Sequence, residues 1–507
     1  MNPFTDFFAT PQPLEAHAPV LMVVGPLVAA CAAGLSPNGR WAWVISVGGA
    51  VFAAWMALAL AGSVAREGVV TYALGGFAPP MGIAFRIDAL GSMFALLVSV
   101  MGVMAALVSG HSLNAEIRTD KHTLVQAGFL LCLSGLLGIT ATGDAFNAFV
   151  FLEISSIASY ALIATGAARD RRALPAAFNS LVMGTIGATF FVLGIGFLYA
   201  ATGTLNMEDM AARLATLETS RAAQAGFALV VAGLGLKAAM FPLHLWLPGA
   251  YAHAPTAAAI FLSATATKAA IYLLARFVFG VFGTDMAFTE TFLIWVAAPL
   301  ATAAAIICSA QAIHQTELRR ILAYSSVAQT GYVLLGLATG RIAGLSAGFF
   351  HLFNHALMIA ALFMAVGGLA RRGSGRTLSD FAGAGLSAPW TMAAFGIATL
   401  SLAGAPLTAG LLSKWMLVEA MIARGWIWAV VAIAIVSLLT IIYAWRMLEA
   451  VFFRARPEGA DAVREAPPGV LVPLWALAIA NVWFGIDASL PVGLAEAGAR
   501  AVTGAPP

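Results

Sequence analysis

The chain has 507 residues, 61% of them hydrophobic and only 10% charged, with a formal net charge of +3. Soluble domains carry roughly 25% charged residues, so this composition excludes a soluble globular protein and indicates an all-α membrane protein. The few basic residues are spread over loops rather than gathered on one face, which excludes nucleic acid as a partner.

A helix needs about 20 apolar residues to cross the hydrocarbon core. Such segments fall at 17–35, 41–62, 86–109, 122–141, 146–167, 175–200, 222–250, 253–280, 291–312, 317–337, 341–369, 388–423, 426–452 and 469–490, about 14 in all. Residues 1–16 are polar and acidic and lack the basic start of a cleaved signal peptide. The first apolar segment is therefore expected to direct insertion. Segments 222–250 and 388–423 are too long for one straight span. Pro242 interrupts the first, and Pro406, just after Gly404, interrupts the second. Proline removes a helical donor and its ring clashes with the carbonyl four residues back, so both segments are expected to be discontinuous helices.

Loop charge orients the chain. Loops after odd-numbered segments hold 14 basic residues, including Arg40, Lys121, Arg171, Arg172, Arg371, Arg372, Arg376 and Arg456, against 7 on the other side, including Arg66, Arg221 and Arg500. The positive-inside rule places the richer side in the cytoplasm and both termini outside it. Segments four to eight and nine to thirteen each end in a broken helix plus one more span. Two adjacent five-helix units have opposite topology, the inverted-repeat arrangement of many transporters. The expected division is an N-terminal three-helix segment at 1–121, a first repeat at 122–280, a second at 291–452, and a C-terminal helix and tail at 469–507.

Titratable groups inside such spans are costly and mark functional sites by default. Glu153 lies in segment five, Lys237 in seven, Lys268 in eight, His351 and His355 in eleven, and Lys414 in twelve. His351 and His355 are four residues apart and share one helix face. Lys237 and Lys268 lie about midway along their spans, so snorkelling to the membrane surface does not account for them. The depth of Lys414, past its break, is less defined. Glu153 is the one carboxylate placed well inside a span, and it pairs naturally with Lys237. The series has the composition of a proton relay. Other polar residues have blander readings. His244 and His253 are as readily structural as functional. Asp88 suits a helix start, where it meets free N–H groups. Asp144 suits a short loop, and Arg319 and Arg320 suit cytoplasmic charges at a helix start. Cys31, Cys132 and Cys308 stand singly in apolar runs, so no disulfide framework and no metal site is expected. The chain carries no Rossmann fingerprint or P-loop, so no cofactor is expected either.

The run GLKAAMFPLHLWLPGAYAHAPTAAAIFLSATATKAAIYLLARF resembles the signature of the antiporter-like subunits shared by Mrp-type multisubunit cation/proton antiporters, respiratory complex I and membrane-bound hydrogenases. FVFLEISSIASYAL, ELRRILAYSSVAQTGY, FHLFNHAL and LAGAPLTAGLLSKW resemble that family in the same order, over about 120–450. The resemblance implies 14 transmembrane helices, two inverted five-helix repeats and a hydrated polar axis, with relay roles for Glu153, Lys237, Lys268 and Lys414. Many members carry a lysine four residues after the second histidine of segment eleven. Ile359 stands there in this chain, which leaves that step to His351, His355 or water. The chain is expected to resemble the shorter members, without the long lateral helix of the largest ones, and it looks most like the D-type subunit of Mrp antiporters and hydrogenase relatives. The expected function is proton translocation, with Na⁺/H⁺ exchange of the Mrp type leading. The alternative is a proton-pumping membrane subunit of a complex I-type NADH:quinone oxidoreductase or membrane-bound hydrogenase. The implied partners are other membrane subunits, H⁺, Na⁺ in the Mrp case, and the lipid of a bacterial inner membrane. A third class, a stand-alone transporter for an organic solute, would need a substrate-sized pocket at a broken helix.

Overall fold

A computed structural model describes residues 14–217, 220–284, 286–369, 377–456 and 463–505. The loop arginines Arg371, Arg372 and Arg376 lie outside the described residues.

Helices α1 (Ala18–Gly34), α2 (Gly39–Glu67), α3 (Ala89–Glu116), α4 (His122–Ala141), α5 (Ala145–Ala164) and α6 (Ala173–Thr202) occupy the first six apolar segments. A two-stranded antiparallel hairpin, β1 (Val70–Ala73) and β2 (Ala84–Ile87), joins α2 to α3. The short helix α7 (Met207–Leu214) follows α6; its N-cap Asn206 accepts from the amides of Glu208 and Asp209. The seventh segment is two helices, α8 (Arg221–Lys237) and α9 (Trp246–His253), flanking the residues around Pro242. Continuous spans resume with α10 (Thr256–Phe282), α11 (Ala287–His314), α12 (Leu318–Ala338) and α13 (Ile342–Leu369). The twelfth segment is again two helices, α14 (Pro389–Ala403) and α15 (Ala409–Arg424). The chain continues through α16 (Ile427–Phe453) and α17 (Pro468–Ile486) to a 15-residue helix, α18 (Ser489–Thr503).

Twelve of the described helices are long and apolar enough to cross a membrane unbroken. The two broken segments account for the rest of the expected set. A further bend lies in front of α14, where the turn at Leu378–Ser387 meets it at 118°. The hairpin, α7 and α18 were not legible as spans because they are short or polar.

Burial sorts the helices into a core and a rim. The most apolar windows of α10 and α12 are 94% buried and that of α13 is 89% buried, whereas those of α1, α2, α5, α6, α11 and α16 are only 39% buried. The three core helices carry Lys268, Gln329, His351, Asn354 and His355, all at most 2% exposed. Polar groups in a bilayer must face the bundle interior, since lipid offers no hydrogen bonds. The rim shows large apolar side chains outward, such as Leu181, Ile186 and Leu193 on α6.

Asp88 meets its expected role as the N-cap of α3, accepting from the Gly91 amide at 3.0 Å. Asp144 likewise caps α5 through the Asn147 amide, at 2.7 Å.

Candidate functional site

The first centre forms where α8 stops. Lys237 is its last residue, and the chain then turns through Ala239, whose φ is 53°, to the cis peptide before Pro242. The Trp246 indole donates to the Leu236 carbonyl at 3.1 Å, satisfying one acceptor freed by the break. The Lys237 ammonium donates to Glu153 Oε1 at 3.1 Å, Ser156 Oγ at 2.8 Å and the Tyr160 hydroxyl at 3.3 Å. Glu153, Ser156 and Tyr160 stand at i, i+3 and i+7 of α5, one helix stripe. Lys237 thus has three acceptors for its three donors, and it is 9% exposed. A cavity of about 60 Å³ adjoins it, reaching Ala266 and Ala270 on α10. That volume and its serine lining suit water.

Lys268 lies in the middle of α10, 2% exposed, and donates to the carbonyl of Ser263 on its own helix. Helices α10 and α13 run antiparallel and touch where Gly367 meets Thr256. Lys268 is 12 residues after Thr256 and His355 is 12 residues before Gly367, so both lie about 18 Å from that contact at 1.5 Å per residue. They occupy the same depth on packed helices. His355 Nε2 is buried without a partner among the described residues. Ile359, one turn on, is wholly buried.

The second break builds the last centre. Helix α14 ends at Gly404, whose φ of 89° closes it, and Leu407 also has positive φ, at 66°. The Lys414 ammonium donates to the carbonyls of Leu402 at 2.9 Å and Ala403 at 3.1 Å. These are last-turn acceptors at the negative end of the α14 dipole, a favourable seat for a cation. Lys414 also lies 5.6 Å above the Tyr332 ring. His351 joins the same cluster: its Nδ1 is 2.9 Å from Ser413 Oγ, its Nε2 is 2.9 Å from Gln329 Oε1, and its ring meets the edge of Tyr332. Lys414 is therefore held at the break by its bonds, and it is 6% exposed. Among the described residues no carboxylate reaches ion-pair distance of Lys268 or Lys414.

The six titratable residues picked from the sequence are therefore grouped as Glu153 with Lys237, Lys268 level with His355, and His351 beside Lys414. Ser156, Tyr160, Gln329, Tyr332 and Ser413 were not singled out. For Ser156 and Tyr160 the signal was available in their helical spacing from Glu153. Two of the other polar residues have partners on distant segments. His253 pairs with Asp170 at 3.0 Å. Arg319 is no free surface charge: it donates to the Ala254 carbonyl at 2.8 Å and Thr256 Oγ1 at 2.6 Å, beside Glu116. His244 stacks on Phe241, with 5.4 Å between ring centroids, beside the first break.

Residues 142–440 match the family model described as NADH:quinone oxidoreductase/Mrp antiporter, transmembrane. Over 490 residues the chain is 40% identical to the NADH-quinone oxidoreductase subunit N of Desulforudis audaxviator (strain MP104C), covering 93% of this chain and 96% of that one. It is 30% identical to the D-type subunit of the Na(+)/H(+) antiporter of Bacillus subtilis (strain 168), covering 84% of each. Among solved structures it resembles a chain of the Mrp complex from Dietzia sp. DQ12-45-1b, with a TM-score of 0.88 and 26% identity over 97% of this chain and 98% of that chain. The matched region spans more than half of a chain whose fold and broken helices have just been described, and the chain belongs to the NADH:quinone oxidoreductase/Mrp antiporter family, as one of its antiporter-like membrane subunits.

Proposed function

We propose that the chain translocates protons within a multisubunit complex of a bacterial inner membrane, through Glu153, Lys237, Lys268, His355, His351 and Lys414 as relay groups. The observation that carries this reading is the Lys237–Glu153 contact beside a helix break and a water-sized cavity. A buried ammonium held by a carboxylate can be switched between charged and neutral states when either partner exchanges a proton. His355 stands where relatives place a lysine one turn later, so the imidazole takes over that step from the position of Ile359. The cavity at Lys237 is far below the roughly 300 Å³ that an organic solute needs, which disfavours a solute transporter. Na⁺/H⁺ exchange of the Mrp type is the first reading, supported by the 30% identity to an antiporter D-type subunit and the likeness to a chain of an Mrp complex, and it stands about level with the second. A complex I-type proton pump is the second, favoured by the 40% identity to a relative named as a quinone oxidoreductase subunit. In that case the redox chemistry sits on other subunits.

The division into 1–121, 122–280, 291–452 and 469–507 belongs to the same proposal, with the two broken segments as matching parts of two inverted repeats.

The test is Glu153→Ala in the assembled complex, with proton movement followed in proteoliposomes. Transport is expected to fall at least about a hundredfold, the lower range for loss of an acid–base group. Unimpaired transport by assembled Glu153→Ala complex removes Glu153 from the relay. Glu153→Asp is expected to keep part of the activity if water bridges the shorter reach.

Orientation has its own test. Single cysteines near Arg172 and Arg372 are expected to react with an impermeant thiol reagent from the cytoplasm, and those near Arg66 and Arg500 from outside. The reverse labelling pattern would overturn the orientation.

A further inference from the structure

At the end of the bundle that carries the β1–β2 hairpin, a line of polar groups runs inward from the surface. Glu208, with its side chain 69% exposed, accepts from Arg86 Nε at 3.1 Å. Arg86 Nη1 lies 3.8 Å from Asp88 Oδ2. Asp88 is 2% exposed, and both its oxygens accept from the Arg276 guanidinium. Arg276 Nε then donates to the Tyr272 hydroxyl at 3.0 Å, and that hydroxyl donates to the Thr140 carbonyl at 3.0 Å. Lys268, Tyr272 and Arg276 stand at i, i+4 and i+8 of α10, so the line points along one stripe of that helix to the central lysine. The Tyr272 ring packs on Phe94, 4.9 Å between centroids. Helix α18 packs over the same end: its Gly498 abuts Leu90, and Val502 lies beside Gly280.

We propose that Tyr272, Arg276 and Asp88 form the gate through which a proton passes between Lys268 and the surface beside Glu208. This rests on the proton-translocation reading above. A guanidinium does not release its proton in a protein, so Arg276 is no carrier. It is a fixed positive charge in a poorly polarisable passage, and such a charge repels an excess proton. While Arg276 sits on Asp88 and the Tyr272 hydroxyl, the passage is closed. Asp88 has a second cation in reach, Arg86, which Glu208 holds at the rim. Arg276 and Asp88 moving off the hydroxyl together, toward the rim where Arg86 is a second partner for Asp88, opens the line with the guanidinium still paired. The Lys268 ammonium then gives up one proton and becomes neutral. The Tyr272 oxygen receives it while passing its own hydroxyl proton on. Water entering beside Asp88 takes that proton and carries it to the surface. In this structure Lys268 bonds to Ser263, on the side away from Tyr272, which is the arrangement that goes with a closed gate.

The experiment uses the purified complex in proteoliposomes, with driven proton transport and passive proton leak both measured. Tyr272→Phe keeps the ring on Phe94 and removes only the hydroxyl. It is expected to lower driven transport at least about a hundredfold with assembly unchanged. Arg276→Gln is expected to raise the passive leak. Full transport by Tyr272→Phe, or an assembled but leak-tight Arg276→Gln complex, overturns the gate. If Arg276→Gln fails to assemble, Tyr272→Phe alone decides. Glu153→Ala is run alongside: full transport there means that the relay reading itself has failed, whereas its loss together with normal Tyr272→Phe transport rejects the gate only.

Discussion

Lys237→Arg is expected to assemble normally and to transport no better than Lys237→Ala. The ammonium sits among three acceptors, Glu153, Ser156 and Tyr160. An arginine retains the positive charge opposite Glu153 but effectively never deprotonates. If Lys237 must lend and recover a proton, charge alone is useless, and both variants lose transport at least about a hundredfold. Alanine removes one member of a buried pair, a change that costs roughly 3–5 kcal/mol when the partner stays charged. Glu153 avoids much of that penalty by taking up a proton, so Lys237→Ala is also expected to assemble. Transport near the wild-type level in well-assembled Lys237→Arg complex would sink the relay assignment at this site, leaving Lys237 as a source of fixed charge.

The second large effect is structural. Gly410, at the start of α15, lies so close to α14 that an added Cβ would sit 1.8 Å from the Ser401 carbonyl oxygen. Its amide donates to Ser401 Oγ at 3.3 Å. The nearest atoms, the Ser401 carbonyl oxygen and carbon, are backbone on the other half of the broken segment, so they cannot rotate away. Gly410→Ala is therefore expected to force the half-helices apart, at about 3 kcal/mol, the upper end for overpacking. Because Lys414 holds the carbonyls of Leu402 and Ala403 across the same junction, transport is expected to fall with stability. Thermal unfolding of the purified complex checks this, with Gly493→Ala as the control, since a Cβ there meets nothing within 4 Å. Equal midpoints for the two variants would show that the junction gives way freely.

The two predictions address different parts of one design. At each break the helix ends early, and its terminal groups are answered locally. Around Lys237 the answer comes from the neighbouring helix α5 and from Trp246. Around Lys414 it comes from the end of α14 itself. The two lysines are therefore unlike in surroundings. One is matched by a carboxylate, and the other by carbonyl dipoles and a tyrosine face. The looser match between the halves already shows in the order of residues, with Lys237 before its proline and Lys414 after.

By itself the sequence determined the class, the segments and the carriers of charge. Bilayer thickness sets a length that apolar runs must meet, so 12 unbroken helices and two broken segments could be counted before any tertiary contact was known. Proline breaks a helix by local chemistry, so Pro242 and Pro406 marked the discontinuities. A buried lysine or glutamate is rare enough in an apolar run to stand out without a partner in view, which is why Glu153, Lys237, Lys268 and Lys414 were legible. Apart from Glu153 with Lys237, only the tertiary structure decided who meets whom. Asp88 and Arg276 are 188 positions apart, and each had an ordinary reading or none at its own helix end; packing of α3 against α10 makes them a buried pair. Arg319 read as a loop charge because its acceptors, Ala254 and Thr256, belong to a junction more than 60 residues upstream. His351 and Lys414 lie on different helices, and Tyr332 and Ser413 join them only once α12, α13 and α15 close together. Local periodicity and hydropathy act along the chain, whereas hydrogen bonds and ion pairs act across it. Their partners are chosen by which helix faces the bilayer leaves to pack inward.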